Sequence, residues 1–89
     1  MVRDEEIIKG RTKTYIAQKY NSEIVDENAE FTFEIIPGDT PPNAYELNVI
    51  SHNQCSITAK SATYYITLRA TDNASGQYVE KIIKLRNLF

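Results

Sequence analysis

Apolar and polar residues alternate along most of this chain in short runs, separated by turn-forming residues. "FTFEII" sets Phe31, Phe33 and Ile35 on one face and Thr32 and Glu34 on the other. "YELNVI" does the same with Tyr45, Leu47 and Val49, and "QCSITA" with Cys55, Ile57 and Ala59. "TYYITLRAT" (Thr63–Thr71) points Tyr64, Ile66, Leu68 and Ala70 one way, and "QYVEKIIKLR" (Gln77–Arg86) closes the series. A period of two is the mark of a strand with one buried face. Upstream, "TKTYIAQKY" (Thr12–Tyr20) reads as a strand, Asn21-Ser22 as a turn, and "EIVDENAE" as a short edge piece or loop. "PGDTPPN" (Pro37–Asn43) is the longest loop and "SHN" (Ser51–Asn53) a tight one. No stretch has helical periodicity. Residues 1–11 show the least pattern and read as a poorly ordered or linker segment of one domain spanning 1–89. The spacing predicts an all-β sandwich of six to seven antiparallel strands.

The last two strands carry enough detail to predict their register. With a four-residue loop over Asn73–Gly76, Asp72 faces Gln77 and every pair follows. Tyr64 meets Leu85, Ile66 meets Ile83 and Ala70 meets Val79 on the core face. Arg69 meets Glu80 and Tyr65 meets Lys84 outside, and such cross-strand pairs contribute ~0.2–1 kcal/mol each. A slip of one residue sets inward side chains against outward ones. A two-residue Asn73-Ala74 loop pairs Arg69 with Tyr78 and asks Ala74 for a positive φ, which its Cβ resists. One pair is discordant in the preferred register: Leu68 faces Lys81. The polar knot "TDNASG" therefore has turn chemistry to explain it. Its rival reading, a calcium site, needs six to eight oxygens and no second acidic cluster can be placed beside it. "NAS" is also a glycosylation sequon, without secretory context to give it meaning.

Composition narrows the function classes. Eighty-nine residues with 42% apolar and 25% charged side chains suit one small globular domain. A net charge of −2 offers no basic surplus for nucleic acid, and Lys9, Arg11 and Lys13 read as solvated edge charge. No apolar run reaches the ~20 residues of a membrane span. "MVRDEEIIKG" lacks the apolar core of a signal peptide, so the chain is expected to be cytoplasmic or a piece of a longer protein. The single cysteine excludes an internal disulfide.

Candidate chemistry is sparse. His52 and Cys55 have the spacing of half a zinc site, but no other His or Cys completes it. Cys55 falls on the apolar face of its strand, where cysteine behaves as a small hydrophobe, which disfavours a Cys–His nucleophile. No strained nucleophile elbow marks a serine, and the three glycines form no phosphate loop. The expectation is a non-enzyme without catalytic, cofactor or metal residues. The surface candidates are Tyr65 and Tyr78, outward on the last hairpin, able to stack on a sugar ring or anchor a protein contact. Their other reading is β-propensity plus cover from a neighbouring domain. Leu88 and Phe89 extend past the last strand, to fold over the base or meet a partner.

"NQCSITAK", then "YYITLRATDNASG", then "EKIIKL" resemble the closing strands of bacterial immunoglobulin-like domains. With "FTFEI" and the end "IKLRNLF", the chain resembles the immunoglobulin-like domain that ends some structural proteins of tailed bacteriophages and prophages. The likeness covers about Phe31 to Phe89. The glycine usual after the "T-A-k" segment is replaced by Lys60-Ser61-Ala62-Thr63. The resemblance implies an immunoglobulin-like β-sandwich serving as an accessory module on a virion or cell surface, within a longer parent. It implies virion assembly or decoration, or weak adhesion to host glycans. The alternative is a spacer or adhesion module of a bacterial surface protein. No ligand residue transfers, and a monomer is expected in isolation.

Overall fold

A computed structural model describes residues 5–88; Phe89 and residues 1–4 lie outside them. The described strands are β1 (Glu5–Ile8), β2 (Thr12–Ile16), β3 (Tyr20–Asn21), β4 (Ile24–Val25), β5 (Phe31–Ile36), β6 (Tyr45–Ser51), β7 (Gln54–Ala59), β8 (Tyr64–Asp72) and β9 (Tyr78–Arg86). A single 3-10 turn, Pro42–Ala44, interrupts them. The protein is all-β, with these strands in three sheets. One sheet runs β1-β9-β8-β5, another β2-β7-β6, and β3-β4 is a separate two-stranded hairpin.

The count exceeds the six to seven strands expected, for two reasons. The predicted strand Thr12–Tyr20 is cut in two. β7 begins at Gln54, opposite Ile16, so β2 has no partner backbone beyond that point. Ala17 closes the sheet by donating its N–H to Asn53 O at 2.9 Å. The chain then folds into the β3–β4 hairpin, which takes the end of that predicted strand, turns at Ser22 with φ 60° within the predicted Asn21-Ser22 turn, and returns through Ile24–Val25 of the segment read as an edge piece.

The second reason is β1, inside the stretch read as a linker. Ile7 is 1% exposed because β1 docks along the second half of β9, Glu5 beside Ile83 through Ile8 beside Arg86. That pairing is parallel, whereas the others are antiparallel. β1 and β2 belong to different sheets, so no hairpin dictates their relative direction. Gly10 carries the chain between the sheets at φ 87°, its N–H bonded to Ala59 O at 2.8 Å. L-residues rarely adopt that φ, so glycine suits the crossing.

The two larger sheets share one core. β7 contributes Cys55, Ile57 and Ala59, all 0% exposed, and they meet Ile66, Leu68, Ala70, Ile83 and Leu85 from β8 and β9. Fully burying each large aliphatic side chain stabilises the fold by ~1.5–3 kcal/mol. Phe31 and Ile35 pack on this cluster half-buried, with Phe33 buried between them, as the alternation of "FTFEII" predicts. β6 follows its pattern less well. Tyr45 and Leu47 pack on the core, but Val49 is exposed, next to a register shift between Val49 and Ser51 that ends the regular pairing.

The β8–β9 hairpin has the predicted register throughout, from Tyr64 opposite Leu85 to Thr71 opposite Tyr78. Asp72 N–H reaches Gln77 O at 2.8 Å and closes the four-residue loop. The discordant pair, Leu68 with Lys81, is accommodated at the sheet margin. Lys81 is exposed there, its Nζ 5.8 Å from the centre of the Tyr15 ring.

Candidate functional site

The outer face of the four-stranded sheet is built from rows of side chains set by register. One row is Thr32, Thr71 and Tyr78, the next Glu34, Arg69 and Glu80, the next Ile36, Thr67 and Ile82, and the last Tyr65 and Lys84. The sequence-predicted tyrosines thus share a face but stand six residues apart along β8, about 20 Å at ~3.3 Å per residue. They are not one platform. Both are half-exposed, and their surroundings differ.

Tyr78 is engaged by its neighbours. The Arg69 guanidinium lies 4.2 Å from its ring centre, within cation–π distance. Arg69 in turn binds Glu80, with Nη2 2.8 Å and Nε 2.9 Å from Oε2, and Glu34 lies 3.6 Å away. The Glu80 hydrogen bond holds the guanidinium firmly protonated. One face of Tyr78 is therefore covered by a cation fixed between two carboxylates.

Tyr65 lines an open groove of about 720 Å³, with Ile82, Thr67 and Thr63 on the sheet side and Pro37–Thr40 as the opposite wall. That wall is built locally. Thr40 N–H donates to Pro37 O at 3.0 Å, and Gly38 takes φ 59°, a turn conformation open to glycine. Thr40, 7% exposed, then donates its hydroxyl to Tyr65 O at 2.6 Å and ties the loop to β8. Ala44, at the end of the same loop, is fully buried, and its carbonyl accepts Lys60 N–H at 2.8 Å.

The groove's far margin is strained. Thr63 has φ 66°, unusual for a β-branched residue and costing of order 1–3 kcal/mol. It stands in the β7–β8 connection, Lys60–Thr63, which has no glycine. Its N–H to Leu85 O bond of 2.7 Å holds it there. The groove presents an aromatic ring, threonine hydroxyls and the Asp39 carboxylate, with Lys84 Nζ 5.8 Å from the Tyr65 ring centre. Sequence reading located Tyr65 but missed the loop wall, Thr63 and Ile82. The breaker-rich composition of Pro37–Asn43 marks a loop without saying which way it folds.

The other candidates stay apart. Cys55 lies in the buried core, where desolvation pushes its thiol up to about 11. His52 is exposed on the β6–β7 turn, its Nε2 3.2 Å from Glu27 O. Asp72 uses its carboxylate within the fold, accepting Ser75 Oγ at 2.7 Å and pairing with Lys19 Nζ at 2.8 Å. Lys13, from the mild basic cluster, pairs with Glu5 at 2.7 Å. Leu88 is exposed past β9, its carbonyl 3.5 Å from Arg86 Nη2. Comparison with protein-family models, with curated proteins and with solved structures finds no match.

Proposed function

We propose that this chain is a non-catalytic immunoglobulin-like accessory domain of a phage or prophage structural protein, serving weak adhesion to the host cell surface. Strand order supports the fold reading. Lettering β2 and β5 to β9 as B to G, the sheets run B-E-D and G-F-C with β1 beside G, an arrangement common to immunoglobulin-like sandwiches. The β3–β4 hairpin is then an insertion between B and C. The combination of "FTFEI", "NQCSITAK" and the end "IKLRNLF" supports the phage origin, and in that setting the domain sits on a virion as part of a longer protein.

The observation that carries adhesion is the Tyr65 groove. A half-exposed ring flanked by hydroxyls and a carboxylate suits the apolar face and hydroxyl rim of a pyranose. Tyr78, capped by Arg69, is the lesser surface. The test is saturable binding of the fluorescently labelled chain to Gram-positive and Gram-negative cells, with competition by their purified surface glycans. Tyr65→Ala is expected to abolish binding while Tyr78→Ala retains most of it, both keeping the β-sheet circular dichroism signal. No saturable binding by the folded parent chain would replace adhesion with a spacer or decoration role.

A further inference from the structure

β9 is paired on both sides along only part of its length. β8 lines it throughout, but β1 pairs only from Ile83 to Arg86. Tyr78 to Ile82 have no strand on their other side among the described residues, and all five are exposed. Ladder alternation says which backbone groups face that edge. Arg86 O turns toward β1, accepting Lys9 N–H at 2.8 Å, while Leu85 O turns toward β8, accepting Thr63 N–H. Counting back by twos, Glu80 and Tyr78 direct their N–H and C=O groups outward at the open edge, joined by the Ile82 N–H, while the Ile82 C=O faces the start of β1 at Glu5.

Beside this edge the two sheets part. A small apolar cleft of about 200 Å³ opens there, bounded by Tyr15 and Ile16 of β2, Leu68 and Ala70 of β8, and Val79 and Lys81 of β9. Val79 has the inward parity of a core residue yet is 67% exposed, and Ile16 is 59% exposed. The Tyr15 hydroxyl is buried with no hydrogen-bond partner among the described residues. Lys81 stands at the mouth, and no described carboxylate lies within ion-pair distance of it.

We propose that Tyr78–Ile82 is an acceptor edge for an extended strand of a partner polypeptide, with one apolar residue entering the cleft beside Val79 and one acidic residue two positions away facing Lys81. The edge spans about 17 Å at ~3.3 Å per residue, room for a five-residue strand, which stops where β1 begins. The added strand continues the layer that β1 already forms on β9. A second copy of this chain leaves the charge of Lys81 unmatched. Antiparallel pairing centred on Glu80 opposes two carboxylates, centring on Lys81 opposes two ammonium groups, and centring on Val79 sets Lys81 against Gln77. A foreign strand with an acid opposite Lys81 matches that charge, so Lys81 selects an acidic partner. The edge shares Ile82 with the rim of the Tyr65 groove, but it is read through backbone groups and the Val79 cleft and does not depend on the adhesion reading.

The test uses the whole chain labelled with nitrogen-15 and two capped peptides at millimolar concentration. Their five-residue cores are threonine-valine-threonine-glutamate-threonine and the same order reversed, covering parallel and antiparallel entry. Binding of either is expected to slow amide exchange at Tyr78, Glu80 and Ile82 about tenfold, while Val79 and Lys81, already bonded to β8, change little. Glu80→Pro removes an edge donor without breaking the β8 ladder, and Val79→Glu puts charge in the cleft. Both are expected to abolish the effect. The proposal fails if neither peptide protects these amides, or if exchange changes elsewhere instead. It also fails if they are protected in the free chain and lose protection when residues 1–4 are removed, for then the chain's own start holds the edge. Concentration-dependent dimerisation through these amides would likewise overturn it in favour of a second copy.

Discussion

The two halves of β9 share one strand, one alternation and one partner in β8, yet they differ in burial. In Ile83–Arg86, Ile83 and Leu85 are 0% exposed, whereas in Tyr78–Ile82 even the inward-parity Val79 is 67% exposed. β1 lies beside the second half, Ile7 adding to the cluster that covers Ile83 and Leu85. Beside the first half, β2 ends at Ile16 and the chain turns away into β3 and β4. Alternation therefore orients a side chain, and burial depends on whether another layer reaches it. The second half is structural; the first is available for contact.

The largest expected effect contrasts the two halves directly. Ile83→Ala should cost about 2–5 kcal/mol by urea unfolding, the range for emptying a packed aliphatic site. Val79→Ala should cost under about 0.5 kcal/mol, as for an ordinary surface position. Similar losses at both would mean that the cleft is filled in solution. Next comes the strained position at the groove. Thr63→Gly relieves φ 66° and should raise stability by about 1 kcal/mol, the strain relief exceeding glycine's greater unfolded entropy. A fall in melting temperature would show that the Thr63 side chain is needed there.

Arg69 offers a smaller test on the exposed half. Arg69→Leu removes the contacts to Glu34, Glu80 and the Tyr78 ring, with an expected loss of up to about 1 kcal/mol that shrinks in high salt. Salt-independent loss would point to packing of the alkyl stem instead. The smallest is a pH effect at the hairpin loop. Lys19 first, and Ser75 second, hold the Asp72 carboxyl below its ordinary value. A carboxyl depressed in the folded state stabilises above its unfolded value, ~3.9, and that contribution disappears as pH falls through the folded value. Lys19 is shifted upward by the same contact, so its share is fully present below its unfolded value and is lost as pH rises through its folded value. Asp72→Asn should flatten the acid limb of stability against pH and lower stability slightly at neutral pH, both read by urea unfolding across pH 2–7.

The sequence by itself determined the strand faces and one complete register. The pairs Ile66–Ile83, Ala70–Val79 and Arg69–Glu80 follow from matching faces across a loop whose residues suit a turn, and all three are observed. Cys55, Ile57 and Ala59 are buried as their alternation requires. Of the candidate site, only Tyr65 and Tyr78 were legible, and they proved to belong to different surroundings. These readings succeed because period-two patterning and turn chemistry are local. Tertiary structure alone decided the docking of β1 beside β9, the end of β2 at Ile16, the return of Thr40 onto Tyr65 and the exposure of Val49 and Val79. Each depends on which distant backbone is present to pair or cover, and a side chain's sequence neighbours carry no record of that.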